Sequence, residues 1–298
     1  MKILVSGSHG LVGSALVPAL AGKGHRVVRL VRGASAAGGS EIVWDPEEGR
    51  LDSASLAGFD AVVHLAGESI AAKRWSEMQK SRIRESRVKG TRLLADALAG
   101  LAAPPRTMVS ASAIGYYGNR GDEALVEESP PGKGYLPEVC QAWEAATESA
   151  ARKGIRVVNL RFGVILSPAG GALAKMLFPF KMGGGGILGN GRQFMSWISL
   201  DDAVGSVLHV LETPALRGPV NAVSPHPVTN YEFTKTLGRV LKRPTIFPMP
   251  AFATRLMFGE MADALLLAST RVEPKRLLVS NYPFRHAHLD AALRHLLS

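Results

Sequence analysis

The sequence predicts an α/β fold, a Rossmann-type doubly wound parallel sheet followed by a small C-terminal domain. Three observations point there. Short apolar runs alternate with stretches of helical spacing as far as Arg161. The first of those runs opens directly on a glycine-rich turn. After Arg161 the alternation gives way to loop-rich and Pro-rich sequence. Strands alternating with helices imply right-handed βαβ units, and so a parallel sheet covered on both faces.

Taken in order, Ile3–Ser6 is the first strand and Leu11–Leu20 the first helix. Val27–Val31, Glu41–Trp44 and Ala61–Leu65 are the next three strands. The basic stretch from Lys73 through Leu98 has helical composition: it lacks Pro, and apolar residues recur at Ile83, Val88, Leu93, Leu94 and Leu98. Thr107–Ser110 and Arg156–Leu160 are further strands, with a helix over Val139–Arg152 between them. Gly183–Gly191 carries six glycines in nine residues and reads either as a mobile lid or as a plain flexible connection. Asp201–Leu211 is a helix, Pro219–Val223 a strand and Leu289–Leu297 a closing helix. On this pattern residues 1–222 form a nucleotide-binding domain and residues 223–298 a small C-terminal domain.

Composition narrows the function. With 298 residues, 46% of them hydrophobic, the chain has ample material for a core and is not disordered. The single cysteine, Cys140, excludes a disulfide framework and any multi-Cys metal site. His286 and His288 lie close together, but no third ligand is near them in sequence, so no metal is expected. No run of about 18 apolar residues occurs, and the chain enters its first motif without an apolar leader. The expectation is a cytoplasmic protein with no membrane partner. The net charge is +10, and Lys73–Arg92 alone supplies six of it, with eight basic residues against Glu77 and Glu85. A phosphate-bearing cofactor, an acidic substrate, nucleic acid or a plainly solvated helix face would each account for this segment. Nucleic acid is disfavoured, because beyond Trp75 no aromatics are interleaved with the charges.

Gly7-Ser8-His9-Gly10-Leu11-Val12-Gly13 is a GxxGxxG placed between a strand and a helix. There, one glycine permits the tight turn, one lets backbone N–H groups approach a pyrophosphate, and one allows close packing of helix on strand. The helix N-terminus adds unpaired donors and a partial positive charge. An NAD site places an acid about 20 residues further on, at the end of the second strand. Here Val31 is followed by Arg32, and no acid occurs between Gly13 and Glu41. A guanidinium at that point matches a 2′-phosphate, and His9 adds a donor, which favours NADP over NAD.

These residues and those that follow resemble the extended short-chain dehydrogenase/reductases, specifically the atypical, NAD-dependent epimerase/dehydratase-like (sugar-nucleotide-epimerase-like) subgroup with a short C-terminal extension. The further landmarks are Val43-Trp44-Asp45-Pro46, His64-Leu65-Ala66-Gly67, Ser86-Arg87-Val88-Lys89-Gly90-Thr91, Ser110 to Gly118, Leu160-Arg161-Phe162-Gly163-Val164, Trp197 to Asp202, and Met261 to Leu277. The resemblance implies that Leu65, Ala66 and Gly67 run beside the adenosine and ribose. It implies that Asp45 accepts from the adenine amino group, that Arg87 faces the cofactor side of the sheet, and that Val164 lies near the nicotinamide. It also implies a small-molecule substrate, here unidentified, with nucleotide-linked and anionic compounds among the classes it allows; a homodimer is among the assemblies allowed.

The chemistry of the wider family rests on Ser, Tyr and Lys acting together. Ser112 matches the serine. Counting back from Glu144 puts Cys140 in the Lys place and Leu136 in the Tyr place, and a register from Tyr135 puts Val139 there; neither restores the pair. Tyr231-Glu-Phe-Thr-Lys235 has the literal spacing but sits far along the chain and reads as chance. Tyr116 and Tyr117 are then the catalytic candidates beside Ser112. The alternative is an NADP(H)-binding sensor or regulatory protein without catalysis.

Overall fold

The computed structural model describes residues 1–33 and 41–298. Along the chain the strands and helices are β1 (Lys2–Ser6), α1 (Leu11–Gly22), β2 (Arg26–Val31), β3 (Glu41–Asp45), β4 (Arg50–Leu51), β5 (Ala61–His64), α2 (Glu77–Ala99), β6 (Thr107–Ala113) and β7 (Ala124–Leu125). Next come α3 (Tyr135–Ala145), α4 (Glu148–Arg152), β8 (Arg156–Phe162), β9 (Val164–Ser167), α5 (Gly171–Lys181), β10 (Phe194–Met195) and β11 (Trp197–Ser199). The remainder is α6 (Leu200–Glu212), β12 (Gly218–Ala222), β13 (Val228–Thr229), α7 (Asn230–Leu241), α8 (Ala251–Phe258), β14 (Arg271–Val272), α9 (Lys275–Val279) and α10 (Leu289–Leu297). Eight strands form one sheet in the order β12-β8-β6-β5-β1-β2-β3-β4. β1 pairs in parallel with β2 and with β5, β2 with β3, and β5 with β6, while β4 closes an antiparallel hairpin on β3. The order reverses at β1, which puts the topological switch point at the carboxyl ends of β1 and β5. Among the described residues no helix is long and apolar enough to cross a membrane.

The chain divides into two compact units. The first comprises Met1–Ser112, Val139–Leu160 and Val204–Val220; the second comprises Ala113–Glu138, Arg161–Ala203 and Asn221–Ser298. In the first unit, Leu4, Val62 and Met108 of the sheet pack with Trp44, Leu56, Leu94 and Leu98 into a buried core. Such parallel strands are covered on both faces and read as continuous apolar runs, as Ala61–Val63 does. The basic helix α2 begins after Ser76, whose Oγ accepts from the Gln79 N–H at 3.2 Å. Lys73 and Arg74 therefore precede it. Its buried face is Gln79, Ile83, Gly90, Thr91, Leu94, Ala95 and Leu98, and Arg82, Arg84, Lys89 and Arg92 are exposed. Most of the basic cluster is thus a solvated face. The helix expected over Val139–Arg152 is two helices. The Thr147 hydroxyl donates to the Glu144 carbonyl at 2.7 Å, and that local bond competes with the helix ladder at the break. Arg156 closes the end of α6, donating to the carbonyls of Val210, Thr213 and Leu216.

In the second unit β9 pairs with β11, β10 with β13 and β7 with β14. Trp197, Phe233, Leu237, Leu289 and Leu293 belong to a buried apolar cluster of this unit. α7 starts with a capping box, Thr229 with Glu232. The glycine-rich segment is tied to its neighbours by hydrogen bonds. Gly184 N–H donates to the Pro179 carbonyl, Gly189 N–H to Met249, and Leu188 N–H to the Asn230 side chain. Its glycines let neighbours approach. A Cβ on Gly185 would stand 2.6 Å from the Phe180 ring, and one on Gly186 would overlap the Phe247 carbonyl. Gly186→Ala is therefore expected to cost about 1–3 kcal/mol of stability through overpacking. Gly184→Ala, whose Cβ meets only the Pro179 oxygen at 3.5 Å, should be neutral or slightly stabilising. Equal denaturation midpoints for the two variants would contradict this account.

Candidate functional site

The site in the first unit is built where β1 ends. Gly7 has φ +69°, and a Cβ there would lie 2.7 Å from the Leu65 carbonyl carbon and 2.8 Å from the Ala66 nitrogen. The turn after β1 thus presses bare backbone against the strip Leu65–Gly67 after β5. A Cβ on Gly13 would come within 2.7 Å of Ser8 Cα and closer still to the Gly7 oxygen. The glycine spacing is therefore required sterically at both ends of the turn. The Gly10 N–H donates to the Gly7 carbonyl at 3.0 Å. The Gly10 cap of α1 makes no side-chain bond, and no acid occupies the first turn of the helix. The N-terminal donors consequently meet no protein carboxylate within the helix itself. Ser8 Oγ is buried and makes no hydrogen bond among the described residues. A buried hydroxyl without a partner costs free energy unless something else bonds it. Leu11 and Val12 are half-buried on the first turn of α1, and His9 is exposed.

A groove of about 910 Å³ adjoins this turn. His9, Val31, Arg32, Gly33, Val43, Trp44, Asp45, Glu47 and Arg50 are among its lining residues. The structure thus brings together His9, Val31, Arg32 and Asp45, which lie up to 36 positions apart in sequence. Arg32 is exposed at the end of β2. Asp45 Oδ1 accepts from the N–H groups of Glu47 and Glu48, both at 3.1 Å, and Oδ2 accepts from Arg50 at 3.0 Å. The Glu48 amide first, and then Arg50, hold its carboxyl below the ordinary carboxylate range. Three bonds occupy three of the roughly four acceptor directions of an ionised carboxylate, so one remains for a ligand donor. Arg50, on the β3–β4 hairpin, is a basic groove residue that strand periodicity did not single out.

Arg87 turns inward from the basic helix. Its Nη1 donates to the Glu68 carbonyl at 2.9 Å and to Ile83 at 3.1 Å, and its guanidinium lies 5.0 Å over the Trp143 ring. A Cβ on Gly67 would meet it at 3.5 Å. Arg87 therefore borders the strip after β5.

Behind that strip runs a buried polar chain. Ser6 Oγ is 2.6 Å from His64 Nδ1, His64 Nε2 is 3.0 Å from Thr91 Oγ1, and Trp143 Nε1 donates to the same Thr91 oxygen at 2.9 Å. One neutral imidazole, with one donor and one acceptor nitrogen, satisfies both hydroxyls. Burial lowers the His64 pKa from 6.5 to about 4.

Ser112, at the end of β6, is buried, and its hydroxyl donates to Glu144 Oε1 at 2.7 Å. It stands two residues beyond Ser110, the register partner of His64. Glu144 served in the sequence only as a counting anchor, and folding makes it the partner of the serine. Leu136, Val139 and Cys140, the positions where Tyr or Lys was sought, are buried apolar residues.

Tyr116, Tyr117 and Val164 belong to the second unit. The Tyr117 ring is fully buried, its hydroxyl donating to Asn221 Oδ1 at 2.7 Å and accepting from Arg161 at 2.9 Å. Burial pushes its pKa up to about 12, against the pull of Arg161. Tyr116 lies under the Arg161 guanidinium, 3.5 Å from its ring centre. Val164 pairs with Trp197 and packs in the apolar cluster of that unit. Lys235 of the chance Tyr-x-x-x-Lys donates to the Thr245 carbonyl and hydroxyl.

The sequence model of the NAD dependent epimerase/dehydratase family matches residues 3–223, and that of a domain of unknown function, DUF1731, matches residues 249–296. Epimerase family protein Mb2239 of Mycobacterium bovis is 45% identical over 291 residues, covering 98% of this chain and 96% of its own length. Human epimerase family protein SDR39U1 is 35% identical over 301 residues, covering 100% of both. The crystal structure of human SDR39U1 (isoform 2) with NADPH superposes with a TM-score of 0.89 at 34% identity, over 99% of each chain. A nucleoside-diphosphate sugar epimerase from Corynebacterium glutamicum superposes at 0.83 and 38% identity, over 100% of this chain and 58% of its own.

The buried imidazole sets an acid limit on stability. The folded pKa of His64 lies below the unfolded value, so the unfolded chain binds a proton that the native state refuses. Its contribution is complete above pH 6.5 and is lost as pH falls toward about 4. The loss amounts to on the order of 3 kcal/mol. Urea denaturation at pH 7, 6, 5 and 4 should show that decline, and His64→Gln should flatten it. A wild-type and a variant curve of the same slope would refute the assignment.

Proposed function

The chain belongs to the NAD-dependent epimerase/dehydratase family, and on that premise we propose that it is an NADPH-binding, reductase- or epimerase-type enzyme acting on an unidentified small molecule. The observation that carries this reading is the turn at Gly7–Gly13. It offers a sterically bare cradle, a helix N-terminus without a side-chain cap, and a Ser8 hydroxyl with no partner among the described residues, all of which suit a diphosphate. Gly7, Ser8, His9, Gly10, Leu11, Val12 and Gly13 hold the diphosphate in this reading. Leu65, Ala66 and Gly67 line the ribose, and Asp45 takes the adenine amino group with its remaining acceptor direction. Val31 and Arg32 border the 2′-phosphate, which Arg32 pairs through its planar fork. Arg87 backs the strip, and Val164 is assigned to the nicotinamide end by the family pattern. The domain holding the coenzyme is taken as residues 1–222, followed by a small C-terminal domain of residues 223–298. The crystal structure of human SDR39U1 with NADPH supports the choice of coenzyme.

The bound coenzyme supplies or accepts the hydride. The proton is handled by this chain's own groups. Ser112 Oγ, donating to Glu144, keeps lone pairs free to accept from a substrate hydroxyl, so a proton leaving the substrate passes to Ser112 as the serine proton moves to Glu144. In the reverse direction the same two bonds deliver a proton to a carbonyl oxygen. This relay stands where the wider family uses Tyr and Lys. Tyr117, with its hydroxyl engaged twice and its pKa raised, is read here as a structural residue, and Tyr116 as the stacking partner of Arg161.

Fluorescence titration should show tighter binding of NADPH than of NADH, with Arg32→Ala weakening NADPH about ten- to a hundredfold, as loss of a charged hydrogen bond does. NADH affinity should stay the same. Equal affinity of the unmutated protein for the two coenzymes would sink the assignment. With any carbonyl or sugar-nucleotide compound that supports NADPH oxidation, Ser112→Ala and Glu144→Gln should each lower turnover at least about a hundredfold. NADPH affinity should be unchanged in both variants, and full activity of Glu144→Gln would remove the relay.

A further inference from the structure

We propose that Asp201, His286 and His295 form a binding site for a divalent cation of the zinc type, held by two imidazole nitrogens and one carboxylate oxygen. Asp201 lies 85 positions before His286, and His295 follows nine residues later; the second unit brings the three together. Asp201 stands on the first turn of α6, His286 on the segment that leads into α10, and His295 on α10 itself. His295 Nε2 lies 3.0 Å from Asp201 Oδ2, and His286 Nε2 lies 3.5 Å from the same oxygen. One ligand atom from each residue falls within 4.8 Å of the others. A tetrahedral ion with bonds of about 2.0–2.1 Å separates its ligands by roughly 3.3 Å, and the two measured separations straddle that edge. The imidazole rings stack at 4.5 Å with 25° between their planes, and both Nε2 atoms face Asp201 Oδ2.

The arrangement is held by its neighbours. Asp202, fully buried, accepts the N–H of Arg285 at 2.8 Å and of His286 at 2.9 Å, as well as the Tyr282 hydroxyl at 3.1 Å. The backbone of His286 therefore hangs on the residue adjoining Asp201, and the ligand spacing is set before any ion arrives. Arg294, next to His295, is drawn away to Asp290 at 2.6 Å. Two imidazoles and a carboxylate select zinc, cobalt(II) or nickel over magnesium and calcium, which prefer all-oxygen shells. The side chain of His295 is 56% exposed, so solvent reaches the fourth position. Bound there, the ion ties α10 to α6. Each ring coordinates through Nε2 in its neutral form, with its remaining proton on Nδ1.

The test is a cobalt(II) titration of the full chain, without added histidines, at pH 7.5. The expected result is one equivalent bound with the visible ligand-field bands of four-coordinate cobalt, bands that zinc abolishes by displacement. Zinc should also raise the thermal midpoint by several degrees. His295→Ala, at an exposed position, should keep the circular dichroism and the metal-free midpoint while weakening cobalt binding at least tenfold. His286→Ala should do the same to binding. Absence of the bands at millimolar cobalt would overturn the proposal and leave Asp201 as an ordinary partner of two histidines. Undiminished bands in His295→Ala would overturn it equally, placing the metal elsewhere, for example at the stacked pair His226 and His288.

Discussion

The nucleotide site proposed for the first unit depends on one contact between bare backbones, that of Gly7 with Leu65 and Ala66. Adjacent parallel strands run about 4.8 Å apart, and chains leaving them at the same edge collide unless one lacks a side chain. Because Gly7 yields that space, the turn folds back across the end of β5, and α1 points its amino end over the sheet. Gly13 does the same one turn later, where the helix crosses the Gly7 carbonyl. The orientation of the helix dipole, the isolation of the Ser8 hydroxyl and the opening toward Arg32 all follow from this packing.

The proposed proton relay follows a different constraint. On α3 the face that would present Tyr and Lys is spent on burial, since Leu136, Val139, Cys140 and Trp143 all pack inward. Glu144, one position after Trp143, reaches Ser112 instead. The same helix thus contributes Trp143 to the buried chain through Thr91 and His64, and a carboxylate to the end of β6.

Local patterning made the sheet legible. β1, β2, β3, β5, β6, β8 and β12 all coincide with apolar runs, and the Gly7–Gly13 turn lies between strand and helix as its spacing required. What was not legible arose from bonds between residues remote in sequence or from local competition. The start of α3 at Tyr135 was hidden by Pro137, which a first helical turn tolerates. The break before α4 was decided by one Thr147 hydroxyl. The pairing of β7 with β14 joins segments nearly half the chain apart. Spacing within a segment likewise carries no signal for Glu144 against Ser112, or for Asp201 between two histidines, because each set meets only after the chain has folded.

The burial of Arg161 divides the charges of this protein into two kinds. Its guanidinium is 2% exposed, lies on the Tyr116 ring and bonds the Tyr117 hydroxyl and the Glu127 carbonyl. Exposed pairs such as Lys23 with Glu212, or Lys89 with Glu85, stand in solvent. Dissolved electrolyte screens exposed charges over a Debye length of about 8 Å at physiological ionic strength, and hardly reaches a cation shut between rings. In concentrated brine the outer pairs fade while the arginine keeps its grip, so the framework around β8 is insulated from the osmotic and ionic setting of the cell.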